Sequence, residues 1–421
     1  MAERDGDAGA TQHEPRRNTG AVPPASLRGE HVIILSSDDW ASGLKTSKYH
    51  LARKLAQHNR VLFVDSVGLR KPSAGRQDVG RAARKLLSFF RGARPVPEGL
   101  HVFTPIVVPF CRGRAPIRFL NRLLLVWSIR WLMFRLHLSH PIVFSFLPAF
   151  SDVVGRLGEK AVVYYCVDDM RGCDGTDVAW FEREETRLLE QADCVTCSSR
   201  LLASEFRERG YDAHYTPHGV DWDLFSRAVR EDLPLPADLR DIPEPRLGFY
   251  GFLSDEWVDY PLIKRMAAAH PEWHIVLIGK PKAGMNLSAL VPEPNIHCLG
   301  LKPFDQLPAY TRHFAVGLIP FRISQLTLHS NPLKLLEYLA GGLPVVCTDT
   351  PEARAYEPWT AVAGSAGEFI AQCETAIAND SPEARARRSA MAREHSWETR
   401  VGTIGSIVAA HLRVNSKSRV G

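Results

Sequence analysis

Two doubly wound α/β domains facing each other across one cleft are what this sequence predicts. Three observations lead there. The chain has 421 residues, 45% of them hydrophobic, enough to bury two cores. Two blocks each repeat a short β-branched strand, a turn and an amphipathic helix, the pattern of parallel sheets covered by helices on both faces. Between them, Glu231 to Pro245 is rich in proline and alternating charge with no helical or strand period, as a linker is.

Residues 1–29 are polar and lack an apolar run followed by a cleavage site, so a disordered tail is expected in place of a signal peptide. The first block offers strands at His31 to Ser36, Val61 to Asp65, Val102 to Val108, Ile142 to Phe146, Val162 to Val167, Cys194 to Ser198 and His214 to Thr216. After the boundary, placed near residue 240, the second offers Leu247 to Gly251, His274 to Ile278, Ile296 to Leu299, Val316 to Pro320 and Pro344 to Thr348. Ligands of such sheets bind beyond the carboxyl ends of the strands, so chemistry is expected in loops facing the cleft.

The segment from Ser330 to Thr348 writes out both ends of a helix. Asn331 is expected as N-cap, Pro332 at the first helical position and Gly341-Gly342 at the stop. At about 100° per residue, Leu333, Leu335, Leu336 and Leu339 share an arc of about 160°, leaving Lys334, Glu337 and Tyr338 opposite them. A helix start with a lysine suits a pyrophosphate, and Glu337 one turn on suits ribose hydroxyls. On spacing alone, an exposed i, i+3 ion pair accounts for Lys334 and Glu337 equally well.

The run Pro332-Leu333-Lys334-Leu335-Leu336-Glu337-Tyr338-Leu339-Ala340-Gly341-Gly342-Leu343-Pro344-Val345-Val346 resembles the donor-site signature of GT-B glycosyltransferases. Gly248-Phe249-Tyr250-Gly251, Trp257, Asp259, Tyr260, Val276-Leu277-Ile278-Gly279, Asn295-Ile296-His297, Gly300 and Leu318-Ile319-Pro320-Phe321-Arg322 follow the order seen in bacterial cell-surface polysaccharide transferases, including the teichuronic-acid type. The resemblance spans residues 30–410. It implies two Rossmann-like domains: 30–238 on the acceptor side, 239–395 binding a nucleotide-sugar, then a helix over 396–413 returning to the first domain, and a tail over 414–421. It also implies diphosphate contact for Lys334 and ribose contact for Glu337. Gly251, Lys280, Arg322, Ser330 and Asn331 complete the donor-side set. Two positions depart from the pattern. Retaining members often carry glutamate where His329 stands, which leaves the stereochemical outcome open, and an aspartate is common where Ala315 stands.

On the acceptor side, Val162 to Val167 runs into Asp168-Asp169, two carboxylates at a carboxyl strand end that can raise one another's pKa for general-base work. Either also suits a helix cap. Asp38, Asp39, Trp40 and Gly43 stand where the family has its first acceptor loop, Trp40 suited to stacking on a sugar, with His50 on the helix beyond. Three further features read as structural. Cys194 and Cys197, three apart on a strand, point to opposite faces and suit neither a metal nor a redox pair. Asp221-Trp222-Asp223 follows a turn, and the acids near Glu182 to Glu190 read as a solvated face. No metal or cofactor is expected for the transfer, since a helix end and basic side chains neutralise a leaving diphosphate.

Residues 70–135 hold fourteen Arg and Lys against Asp78 and Glu98, a local +12 in a chain of net +5. Leu86-Leu87, Phe89-Phe90, Phe119, Trp127, Trp131 and Phe134 interleave with these charges, pointing to an anionic membrane surface and away from nucleic acid. Arg81, Arg84, Lys85 and Arg91 are the expected contacts. Arg118 and Arg122 share a helical face that Arg130 and Arg135 do not, so no clean amphipathic stripe is expected. The apolar run Leu123 to Ile129, bracketed by Arg122 and Arg130, is too short to span a bilayer. Scattered cysteines in strand-like runs point to a reducing compartment. The expectation is a cytoplasmic enzyme, peripheral on the inner membrane face, moving a sugar from a nucleoside-diphosphate-sugar to a hydroxyl of a glycan or lipid-linked glycan. Its rivals are a nucleotide-sugar epimerase or hydrolase on the same fold and a non-catalytic membrane scaffold.

Overall fold

The computed structural model describes residues 27–67, 87–108, 114–173 and 175–418. Most of the expected tail, with Arg81, Arg84 and Lys85, lies outside them. The packed structure takes in residues before 30: Leu27 is buried and Gly29 donates its N–H to the His58 carbonyl.

The first sheet has eight strands: β1 (His31–Leu35), β2 (Arg60–Val64), β3 (Arg94–Pro95), β4 (His101–Phe103), β5 (Ile142–Ser145), β6 (Ala161–Cys166), β7 (Cys194–Cys197) and β8 (Ala213–Tyr215), in the order β3-β4-β2-β1-β5-β6-β7-β8. All pairings are parallel except β3 with β4. The strand expected over Val102 to Val108 ends at Phe103. Pro105 cannot continue a ladder, and the Thr104 hydroxyl turns aside to Asp65 Oδ2 at 2.6 Å.

The second sheet has six strands: β9 (Arg246–Leu253), β10 (His274–Pro281), β11 (Ile296–Gly300), β12 (Val316–Ile319), β13 (Val345–Thr348) and β14 (Thr360–Ala363), ordered β11-β10-β9-β12-β13-β14 and wholly parallel. The sequence reading missed β14, whose two alanines give it little apolar signal. Leu335, Leu336 and Leu339 are fully buried beneath this sheet. Each contributes about 2 kcal/mol of hydrophobic stabilisation.

Among the helices, α1 (Ser47–Ala56), α2 (Ala115–Arg135), α3 (Arg200–Glu208), α4 (Leu333–Ala340) and α5 (Trp397–Ser418) bear on function. The closing helix α5 lays Ile404 and Val408 on the first-domain core and runs past residue 413. Phe225, Leu239 and Ile242 pack in the second core, which also takes Val220. On that packing we place the crossover near residue 220 and not near 240, because the proline-rich run lies along the second domain. The acids of the helix Val178–Gln191 form the expected solvated face only in part: Glu182 and Glu190 are exposed, whereas Glu184 and Glu185 turn inward. Glu184 is buried with Arg118 and Arg187, and Glu185 is buried with Tyr164 and Arg209. No helix among the described residues is long and apolar enough to cross a membrane.

Candidate active site

A cavity of about 240 Å³ opens where the carboxyl ends of the two sheets meet. Its second-domain wall is built around the start of α4. Ser330, Asn331, Pro332, Leu333, Lys334 and Glu337 line it together with Gly251 and Gly279 at the ends of β9 and β10. Both glycines have positive φ, at +147° and +153°. A Cβ on Gly279 would stand 1.8 Å from the Gly251 carbonyl oxygen, and one on Gly251 would meet Lys334 Cε at 3.0 Å. Only glycine lets these strand ends and the lysine converge on one space.

Lys334 Nζ lies 5.0 Å from the Phe249 ring centre and 4.9 Å from that of Phe321, held by two cation–π contacts. Burial pulls its pKa down to about 8 against the attraction of Glu337. Burial likewise pushes Glu337 up to about 7 against the field of Lys334. The exposed ion pair that spacing allowed is therefore excluded, for Glu337 is only 6% exposed. Two charges held this far out of water carry a standing desolvation cost that a polar ligand relieves.

Two details of this helix differ from expectation. Pro332 occupies the N-cap position, and Asn331 instead donates through Nδ2 to Glu352 Oε2 at 2.8 Å. Tyr338 belongs to the core: its hydroxyl donates to the Gly248 carbonyl at 3.3 Å and accepts the Tyr250 N–H at 3.0 Å. The backbone donors at the helix start are left without a side-chain cap.

The opposite wall comes from the first domain: Gly43 through Lys48, Asp168 and His218. Asp168 and Asp169 part company here. Asp168 faces the cavity, its pKa raised by burial and by Asp38 although Lys48 opposes both. Asp169 is consumed: Arg171 grips both oxygens at 2.7 and 2.9 Å, and Gln325 donates to Oδ2 at 2.8 Å. It caps the short turn Met170–Gly172 and reaches across to the second domain through Gln325, so of the pair only Asp168 is left facing the cavity.

Several expected residues lie outside the cavity wall. Trp40 packs on Tyr49 and Phe63 at 4.8 and 4.9 Å and does not line the cavity. His50 is buried flat against Trp397, its pKa driven by burial down to about 3. Asp38 pairs with Lys48 at 3.5 Å and accepts from Thr46. Asp39 precedes the turn Trp40–Ser42 and accepts the Ser42 N–H through its carbonyl at 3.0 Å, with no cap from its side chain. Lys280 and Arg322 are exposed beside the wall, whose lining comes from their neighbours Gly279 and Phe321.

The sequence reading missed Lys48 and His218. Lys48 is a buried cation on the first turn of α1, signalled by nothing but its place after the first loop. His218 is 4% exposed, held neutral by burial with its pKa near 3, and its Nδ1 has no hydrogen-bond partner. His329, standing where glutamate is common, spans the domain gap: its Nε2 lies 2.6 Å from Glu205 Oε1 on α3. Glu352 spans it too, accepting from the Arg200 N–H and the Tyr215 hydroxyl, both at 2.8 Å.

Residues 244–379 match the family described as Glycosyl transferases group 1. Over 224 residues, 51% of this chain, the sequence is 30% identical to the teichuronic acid biosynthesis glycosyltransferase TuaH of Bacillus subtilis (strain 168). That match spans 56% of TuaH, little more than half of its length. Among solved structures, HepE of Anabaena in complex with UDP and glucose superposes with a TM-score of 0.63 at 13% identity, over 90% of this chain and 99% of that one. The α,α-trehalose-phosphate synthase (UDP-forming) of Burkholderia vietnamiensis gives 0.64 at 13%, over 92% and 99%. The chain thus has the GT-B fold, and residues 244–379 of its second domain are similar to group 1 glycosyl transferases.

Proposed function

We propose that the protein transfers a sugar from a nucleoside-diphosphate-sugar to a hydroxyl of a glycan or lipid-linked glycan in cell-surface polysaccharide synthesis. The observation that carries this reading is the pairing of half-buried Lys334 with buried Glu337 on the cavity side of α4. Lys334 and the free N–H groups of the helix start stabilise the departing diphosphate. Glu337 accepts the ribose hydroxyls. Asp168, its pKa raised toward the working range, draws the proton from the acceptor hydroxyl. HepE, solved with UDP and glucose, and TuaH, named for teichuronic acid biosynthesis, support donor class and pathway class.

A membrane-bound acceptor is favoured by α2. Phe119, Leu120, Leu123, Trp127, Trp131 and Phe134 are all exposed, Phe134 by 80%, and at helical spacing they share an arc of about 120°. The helix thus has two apolar faces, one on the core and one outward, a stripe that the reading of its arginines alone did not foresee. Arg122 lies over Phe119 and Arg135 over Trp131, and the helix contains no acid. Such a face suits the interface of an anionic bilayer, and we place the enzyme on its cytoplasmic side. Incubating the chain with a panel of nucleotide-sugars and membrane extract checks the whole reading. Nucleoside diphosphate should appear only when donor and acceptor are both present, whereas release without acceptor supports a hydrolase.

A further inference from the structure

We propose that Cys194, His214 and His411 form a binding site for a zinc-class divalent cation, which fastens α5 to the edge of the first sheet. Three segments far apart in sequence meet there. Cys194 opens β7, His214 lies at the middle of the neighbouring strand β8, and His411 comes from the returning helix α5. Their ligating atoms all lie within 4.8 Å of one another. Asp212 adds a carboxylate, its Oδ2 3.4 Å from His214 Nε2 and 3.7 Å from His411 Nε2.

His214 Nε2 is buried and, apart from the Asp212 carboxylate at 3.4 Å, has no hydrogen-bond partner, a poorly satisfied position that the packing of a core edge normally avoids. One cation supplies what it lacks. A thiolate, two imidazoles and a carboxylate form the mixed soft and borderline set that selects zinc over magnesium or calcium, in four-coordinate geometry. Zinc bonds of about 2.0–2.3 Å require the side chains to draw in by about 1 Å, within reach of side-chain rotation. Asp212 is 73% exposed, which gives the ion an entry path. On binding, the Cys194 S–H bond breaks, a sulfur–metal bond forms and the proton leaves to solvent.

Cys194 stands at the amino end of its strand, whereas the candidate active site lies beyond the carboxyl ends. The ion would therefore brace the fold and take no part in sugar transfer. The Cys194–Cys197 spacing gave no hint of it, because the partners come from β8 and α5. Cys197 faces the opposite side of the sheet, in a different core cluster.

Tag-free full-length protein titrated with cobalt(II) tests the site without any substitution. The expected result is an absorption band of thiolate-to-cobalt charge transfer saturating at about one equivalent, displaced by zinc. Cys194→Ser should abolish that band, and His411→Ala should weaken zinc binding at least about tenfold. Chelating the zinc-loaded wild type should lower its unfolding temperature. A cobalt spectrum without the thiolate band, or zinc retained at one equivalent by the Cys194→Ser, His411→Ala double variant, would overturn the proposal. So would a wild type that holds no zinc after desalting from micromolar metal. Donor binding at α4 should be unchanged throughout, so failure here leaves the reading of the active site standing.

Discussion

The two walls of the cleft are built in different ways. The second-domain wall centres on one continuous stretch, Ser330 to Glu337 at the start of α4, with the glycine strand ends and side chains such as Trp257, Lys302 and Phe321 around it. The first-domain wall collects Gly43 to Lys48, Asp168 and His218 from three separate segments of chain. The part of a wall made by one helix has its geometry written in local spacing. A wall made by several segments depends on how the sheet orders its strands, which no local pattern records. The pair Asp168-Asp169 shows the cost, since adjacent carboxylates at one strand end receive different neighbours and different work.

The largest effects are expected where the walls face each other. Asp168→Asn should lower kcat by about 10²–10⁴-fold with nucleotide affinity little changed, the loss typical of a general base. Asp169→Asn should instead destabilise the chain by about 2 kcal/mol in urea unfolding, because it removes the buried carboxylate that Arg171 and Gln325 both grip and leaves Arg171 only Glu205 at 3.2 Å. Equal kinetic losses without a stability change would erase the distinction between the two.

A smaller effect distinguishes the outward face of α2 from its core face. Trp127→Ser with Phe134→Ser should reduce partitioning onto vesicles of phosphatidylglycerol by about tenfold, read by flotation, with no change in unfolding temperature. Unaltered flotation would remove the membrane from the account.

Smaller still is the effect of pH on the donor wall. The folded pKa of Glu337 is raised to about 7 from 4.5, so the folded state binds the extra proton and stability declines as pH rises through that window. Glu337→Gln removes the buried charge and should stabilise the ligand-free chain at pH 8 by about 1 kcal/mol while weakening nucleotide binding. Lys334 shifts the other way, from 10.5 to about 8, so its cost to the folded state fades as pH rises from about 8 to 10.5. Nucleotide affinity should fall over the same rise, as the lysine loses its charge.

Much of the fold was legible because buried parallel strands announce themselves. Twelve strands were expected at places where the structure has them, from His31 to Thr348. The two missed, Arg94–Pro95 and Thr360–Ala363, are short and weakly apolar. Lys334, Glu337 and Gly251 were legible as a helix start beside a strand end. Lys48 and His218 were not, for a lysine in an amphipathic helix and a histidine after a strand look ordinary until the tertiary fold buries them. Trp40 and His50 misled for the converse reason: aromatic residues near a binding loop are as often its supports as its surface.

The central claim is that α4 of the second domain holds the nucleotide. Calorimetric titration of the wild type and of Glu337→Ala and Lys334→Met with nucleoside diphosphates measures it most directly. The account predicts binding of one diphosphate by the wild type and a loss of about tenfold or more in each variant, about 1.4 kcal/mol or more. Affinity unchanged in both variants, with the fold intact, would contradict it.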